Sequence, residues 1–415
     1  MWRRFRYHMA VFFSVIGPGF ITAVVDNDAG GIFTYSQAGA KYGYLPLWTL
    51  LPITLLLIVT QEMCSRMGAV TGKGLSDLIR EEFGLRTTFF LMITLVLANV
   101  TNVMANLAGV ASSLELFQIS RYISVPLAVA VVWVLITRSS YQRVEKIFLF
   151  ACSLYVCYIV SGLLVRPDWK SAAIYSVRPV LLLEADYLAM VIGMVGTSVA
   201  PWMQFFLQAA VVEKGISAKE YAESRIEVIV GCVVMTVIAF FIIVACAGAI
   251  WSVAPRDITD AADAATALKP FGEYAFLLFA AGLFNASLFA ACILPLSTAY
   301  TVCEGLGFES GINKSYKEAP IFYGLFGFLL LAGAGAVLLP NVPLVKLILW
   351  SQILNGAVLP LVLGYMTVLV NKRRLMKEWC NSPLYNVTAW GAVIIMSGLT
   401  VALIGISVQS LLAQR

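Results

Sequence analysis

Charge is what this chain has least of. Only 12% of its 415 residues are Asp, Glu, Lys or Arg, where a soluble domain carries roughly 25%. The deficit runs along the whole chain, 60% of which is hydrophobic, and the mean hydropathy is +0.87. A membrane solvent is implied rather than one greasy anchor. At roughly 20 residues per span plus short loops, such a chain holds about ten to twelve helices and no soluble domain. Histidine is nearly missing too: His8 is the only one, so no imidazole relay can carry protons through the membrane. The eight cysteines form no CxxC pair, which argues against a zinc or disulfide framework and reads as small packing residues. No small-x-small cleavage site closes the first apolar stretch convincingly, so it is expected to be a retained helix.

Apolar runs between charged or Pro/Gly-rich breaks predict eleven spans, near 11–40, 44–65, 87–118, 121–137, 147–165, 186–212, 226–252, 274–305, 319–340, 344–370 and 387–411. With the N-terminus inside, 19 of the 28 Lys and Arg fall in the cytoplasmic segments and nine on the other side. That bias fits the positive-inside rule. It predicts a cytoplasmic N-terminus, an external C-terminus, and a net charge of +5 that reflects orientation rather than a nucleic-acid partner. The expected location is a prokaryotic cytoplasmic (inner) membrane.

Two spans are unlike the rest. The first holds Asp26-Asn27-Asp28-Ala29-Gly30-Gly31; the sixth holds Gly193, Gly196, Thr197, Ser198 and Pro201. They lie five helices apart, and matching interruptions in two five-helix halves signal an inverted repeat with its site where the unwound segments meet. The expected fold is therefore an all-α polytopic membrane protein of the amino-acid/sodium symporter-like class, with about 11 transmembrane helices and broken helices 1 and 6. It would form one transporter domain over 1–415, with repeat one at about 11–165, repeat two at about 186–370 and an extra helix at about 387–411.

A carboxylate at the bilayer centre costs about 3 kcal/mol, so Asp26 and Asp28 need compensation. Either at least one binds a cation, or one caps the helix restarting at Gly30–Gly31 while the pair shapes the field in a watery vestibule. Gly30 and Gly31 permit unusual backbone angles or close packing. Pro201 has no N–H for the carbonyl of Thr197, which frees an oxygen or simply kinks the helix. Gln352 and Asn355 lie three apart on one helical face, as cation ligands or as interhelical glue. No Met or Cys stands within two residues of Asp28, and position 200 is alanine. A site of Asp, amides and carbonyls is hard and suits Mg²⁺, Ca²⁺ or Mn²⁺.

Gly17-Pro18-Gly19-Phe20, Asp28-Ala29-Gly30-Gly31 and Gln37-Ala38-Gly39-Ala40-Lys41-Tyr42-Gly43-Tyr44 together resemble the first helix of the NRAMP divalent-metal transporters. That family has Gly-Pro-x-Phe, Asp-Pro-Gly-Asn and Ala-Gly-x-x-Tyr/Phe-Gly-Tyr at the same spacing. Gly196 to Gln208 is similar to its sixth helix, which carries Met-Pro-His and a second His. The departures are as telling. The motif Pro becomes Ala29, the metal-binding Asn becomes Gly31, the Met becomes Ala200, and the first His becomes Trp202. The second His falls at Leu207, next to Gln208. The Asp and Glu of the family's proton path align with Val103 and Asn106 ahead of Gly109. This pattern resembles the NRAMP-related magnesium transporters. By that resemblance Asp28 is the direct anchor, with the carbonyls of Val25 and Thr197 and the amide of Gln352 as partners, and Gly31 and Ala200 occupy the metal-site positions where the family has Asn and Met. Asp26, outside the family motif, is expected to add negative potential.

The resemblance implies uncoupled, alternating-access transport of hydrated Mg²⁺, with Mn²⁺ admitted. Losing the thioether removes the preference for soft ions, and smaller side chains make room for an ion that sheds water reluctantly. The expected partners are the divalent cation and the lipid bilayer, with no nucleic acid and no obligatory protein; no cofactor is expected beyond Mg²⁺ or Mn²⁺ as cargo. The rivals are a proton-coupled transition-metal transporter with rebuilt ligands and an organic-substrate transporter on the same scaffold. An intramembrane enzyme finds no Ser/His pair, HExxH or paired aspartates on separate helices.

Overall fold

The computed structural model describes residues 25–138, 152–311 and 314–413, with Gly19 and Thr22. Gly17, Pro18 and Phe20 of the first-helix motif, His8, and the start of the expected 147–165 span lie outside the described residues. In chain order the main helices are α1 (Ala29–Tyr42), α2 (Leu50–Thr71), α3 (Leu75–Glu115), α4 (Arg121–Arg138), α5 (Val156–Leu164), α6 (Trp169–Val177), α7 (Ala185–Ser198), α8 (Pro201–Glu213), α9 (Tyr221–Cys246), α10 (Ala261–Ala265), α11 (Ala275–Leu306), α12 (Pro320–Val337), α13 (Leu344–Val370), α14 (Arg373–Met376) and α15 (Pro383–Ala413). No strand occurs among the described residues.

Local chemistry sets the boundaries. α2 and α11 stop at Gly72 (φ 64°) and Gly307 (φ 79°), whose left-handed conformation other residues adopt only with strain. α8 starts on Pro201, which needs no N–H in the first helical turn. Among the described residues, eight stretches are long and apolar enough to cross a membrane, with α7 and α8 counted as one. α4 is a shorter apolar helix, and α1 and α5 fall within the expected first and fifth spans, so each of the eleven expected spans meets a helix.

Polarity is arranged inside out. Phe90, Leu331, Ile394 and Val401 are each at least 67% exposed, which only a lipid solvent makes tolerable at this density. Asp26, Asn27, Asp28, Asn102, Asn106, Thr197, Gln352 and Asn355 are all buried. They collect where the first and sixth spans break. Residues 26–28 interrupt the first between helical Val25 and α1, and Val199–Ala200 interrupt the sixth between α7 and α8. Tyr35 of α1 and Ser198 of α7 share a 2.6 Å hydroxyl bond across the two breaks.

Glycine brings α7 and α13 together. A Cβ on Gly196 would collide with the Gln352 carbonyl and Gly356 N, and one on Gly356 with the Ile192 carbonyl. The two backbones touch, so Gln352 is carried to the first break. At one end of the bundle Lys41 bonds to both Asp186 and Asp257 at 3.0 Å, tying α1 to the start of α7 and to the segment before α10. At the opposite end Glu82 holds Lys372 at 2.7 Å and also Arg374, and Arg66 donates to the Trp379 carbonyl at 2.9 Å.

Gly356→Ala should part α7 from α13 and cost about 1–3 kcal/mol, read as a lower Tm of the purified protein. Gly364→Ala, on the same helix with open space around it, should leave Tm unchanged or raise it. Equal behaviour of the two variants would remove this contact from the account.

Candidate metal site

Asp28 is the N-cap of α1: its backbone is extended (φ −68°, ψ −166°) and its Oδ1 accepts from Gly31 N at 3.1 Å. Its Oδ2 accepts from Asn106 Nδ2 at 2.7 Å, and Asn106 Oδ1 accepts from Ala29 N at 3.3 Å. One α3 amide thus serves both the carboxylate and the first N–H of the restarted helix. In an unbroken helix that N–H would bond to Val25 O. Its turn toward Asn106 releases the Val25 carbonyl at the end of the incoming segment. Pro201 does the same for Thr197, having no N–H to give it.

The polar contacts extend across α3 and α13. Asn102 and Asn355 exchange reciprocal amide bonds of 2.9 and 2.7 Å. Asn355 Nδ2 also donates to Gln352 Oε1 at 3.1 Å, and Gln352 Nε2 to Ser351 Oγ at 2.8 Å. A Cβ on Gly30 would strike the Gln352 amide, with Cδ 2.5 Å away and Asp28 Oδ1 at 3.0 Å. A Cβ on Gly31 would meet the Asp26 carbonyl at 2.5 Å and Thr197 Oγ1 at 3.6 Å. The two glycines do not have positive φ. They are there because other groups come too close for a side chain, which decides between the two readings of their role.

The structure therefore gathers Asp28, Gly31, Thr197 and Gln352 at one place, with Val25 at the end of the entering segment and Ala200 as the N-cap of α8. Asp26 is not part of that set in the hydrogen bonds shown: its Oδ2 is buried without a hydrogen-bond partner among the described residues. None of the ion pairs between described residues involves Asp26 or Asp28. No three His, Cys, Asp or Glu side chains converge among the described residues. A cation here would meet the Asp28 carboxylate and backbone carbonyls, while Gln352 turns its Nε2 toward Gly30 and its Oε1 toward Asn355.

Asn106 was legible in the sequence only as the loss of an acid; in the structure it is Asp28's side-chain donor. Asn102 was missed. The available signal was the spacing Asn99, Asn102, Asn106, Gly109, which lines one face of a helix. A cavity of about 640 Å³ approaches from the Lys41 end, bounded by Asp186 and Asp257 at its mouth and by Thr34, Gly193 and Ile353 within. These last three lie within about a turn of Gly31, Thr197 and Gln352.

An all-helical bundle with two facing breaks, lipid-exposed outside and polar at its centre, is the architecture of a multi-pass membrane transporter. Residues 19–405 match the family described as natural resistance-associated macrophage protein-like, and the chain belongs to that family. Among curated relatives, a divalent metal cation transporter MntH of Acidiphilium cryptum is 24% identical over 94% of this chain and 89% of its own. One of Ralstonia nicotianae is 27% identical over 90% and 86%. Among solved structures, the Eremococcus coleocola manganese transporter, bound to an aromatic bis-isothiourea compound, superposes with a TM-score of 0.75. It is 21% identical, covering 95% of this chain and 86% of that one. A nucleobase-cation-symport-1 family transporter in a closed conformation gives 0.57 at 12% identity, covering 95% and 93%. The fold expected from the sequence is borne out.

Asn106→Leu should leave Asp28 without its side-chain donor and Ala29 N–H unbonded, costing about 1.5–3 kcal/mol, read as a fall in Tm. Asn106→Asp, which sets a like charge against Asp28, should cost more; a wild-type Tm for both would show that Asp28 does not depend on this amide.

Proposed function

We propose that this chain carries divalent metal cations through the membrane, Mg²⁺ foremost and Mn²⁺ as well, by alternating access and without proton coupling. The observation that carries the reading is the donor set at the facing breaks. Asp28 is held by an amide and a backbone N–H, the Gln352 amide lies against Gly30, and residue 200 is alanine. Oxygen donors without imidazole or thioether favour hard ions. Asp28 is the proposed direct ligand, with the Val25 and Thr197 carbonyls and Gln352 beside it, and with Gly31 and Ala200 leaving room for retained water. The neutral Asn106 and the absence of histidine beyond His8 support uncoupled transport. At 100 mV a divalent ion gains about 4.6 kcal/mol, enough for roughly thousandfold accumulation. The proposed location is a prokaryotic inner membrane with the N-terminus inside, on the strength of the Lys/Arg bias, and the two repeats, about 11–165 and 186–370, would rock against each other.

The relatives' names, divalent metal cation and manganese transporters, favour a second reading: proton-coupled transition-metal uptake through rebuilt ligands. Proteoliposomes with an internal pH dye separate the two. Mg²⁺ and Mn²⁺ should enter with no proton flux and Asp28→Ala should abolish uptake, whereas Cd²⁺ or Mn²⁺ uptake alone with acidification would establish the second reading. Ala200→Met should shift selectivity toward Cd²⁺ by about tenfold, since one soft ligand is restored; an unchanged Cd²⁺/Mg²⁺ ratio would place residue 200 outside the ion's reach.

A further inference from the structure

A second cavity, of about 370 Å³, lies at the Lys41 end of the bundle and away from the two breaks. It sits where two spans end, between the turn Ala247–Trp251 that finishes the α9 span and the turn Thr266–Tyr274 that leads into α11. Its lining combines two chemistries. Ile250, Val253 and Phe276 give it apolar walls, and Arg256 and Lys269 bring two cations from separate segments. No Asp or Glu is among the described residues that line it. Asp263 aims the Arg256 guanidinium by taking its Nη2 at 3.1 Å, which uses one of five N–H donors. None of the ion pairs between described residues involves Lys269. Trp251 and Tyr274, each next in sequence to a residue of the lining, are exposed, as are Val253, Phe276 and Leu277. Exposed Trp and Tyr at the ends of spans mark the level of lipid headgroups. Trp251 is fixed there, its ring 6.1 Å from that of Tyr44 and too close to Gly43 for a Cβ.

We propose that this cavity binds an anionic phospholipid, with the phosphate held by Arg256 and Lys269 and an acyl chain laid along Val253 and Phe276. Guanidinium and ammonium groups are both strong donors to phosphate oxygens. With no carboxylate in the lining, the ammonium of a zwitterionic headgroup would meet two cations and no counter-charge. Free phosphate would use the same two donors but leave the apolar walls uncovered, and covering them adds affinity in proportion to area. The cavity also abuts the end of α1. Arg256 N–H donates to the Ala40 carbonyl at 3.3 Å, and the next residue, Asp257, pairs with Lys41. A lipid seated here therefore stands against the segment that holds the end of α1, and its binding stabilises the folded protein.

The test uses the full-length protein, delipidated in a neutral detergent. It is titrated with dihexanoyl phosphatidylglycerol, dihexanoyl phosphatidylcholine and inorganic phosphate, and each Kd is taken from the rise in Tm. Phosphatidylglycerol should raise Tm to saturation, while phosphatidylcholine and phosphate should need at least about tenfold higher concentrations. Lys269→Gln should raise the phosphatidylglycerol Kd about fivefold, and Arg256→Gln combined with it more than about tenfold. Lys170→Gln, at the same end but outside the lining, should leave that Kd unchanged. Lys269→Gln alone carries the test if the double variant does not fold, because it breaks no ion pair. Equal binding of phosphatidylcholine would overturn the proposal by showing that the cations do not read the headgroup. Equal binding of free phosphate would make the cavity an anion site and not a lipid site. A wild-type Kd in folded Lys269→Gln, or an equal loss in Lys170→Gln, would take the cavity out of lipid binding altogether.

Discussion

A carboxylate held at the middle of a membrane bundle by one amide and one backbone N–H is the constraint from which much of this architecture follows. Asp28 must be kept where its insertion cost is offset, and Asn106 and Gly31 supply the bonds. Helix α1 can only restart at residue 29 because Asp28 caps it and Asn106 takes the Ala29 N–H. The same act breaks the first span, since the donor that Val25 O would have used is spent elsewhere. Cap, break and charge are one device, and they tie α1 to the centre of α3.

Around that device the packing is set by what lacks a side chain. Gly196 and Gly356 let α7 and α13 meet backbone to backbone, which brings Gln352 over Gly30. Gly109 lets α3 approach α1 and α11 closely enough for Asn106 to reach Asp28. The Asn102–Asn355 pair then joins α3 to α13 with reciprocal bonds that fix both amides. Such fully used amides rigidify, in contrast to Asn27, Asp26 and Ser287, which are left with capacity to spare among the described residues. The Lys41 pairs at one end and those of Glu82 at the other join separate spans at the two ends of the bundle.

Family membership sharpens the meaning of the replaced residues. The chain keeps the family fold over residues 19–405, so a changed side chain at the breaks changes chemistry rather than architecture. The proline position after the anchor is Ala29, whose N–H now bonds to Asn106; proline would have no N–H to offer. Ala29 and Asn106 thus depart from the family's pattern together, and their bond gives a physical reason for the pairing.

The sequence by itself determined the solvent, the span positions, the two interruptions and the residue types that meet there. Those follow from local properties: apolar runs, carboxylates placed against hydropathy, and prolines and glycines in otherwise helical stretches. It left open whether Gly30 and Gly31 serve backbone angle or close approach, and whether Asn106 is merely an absent acid. It also gave Asn27 no role. Only tertiary structure decided these, because each depends on what another helix places opposite: the Gln352 amide over Gly30, Asp28 beside Asn106, and no partner from the described residues for the Asn27 carboxamide. Hydrophobic periodicity records which face of a helix is buried, but partnership between buried polar groups is a property of helix pairs, and no single stretch of chain contains it.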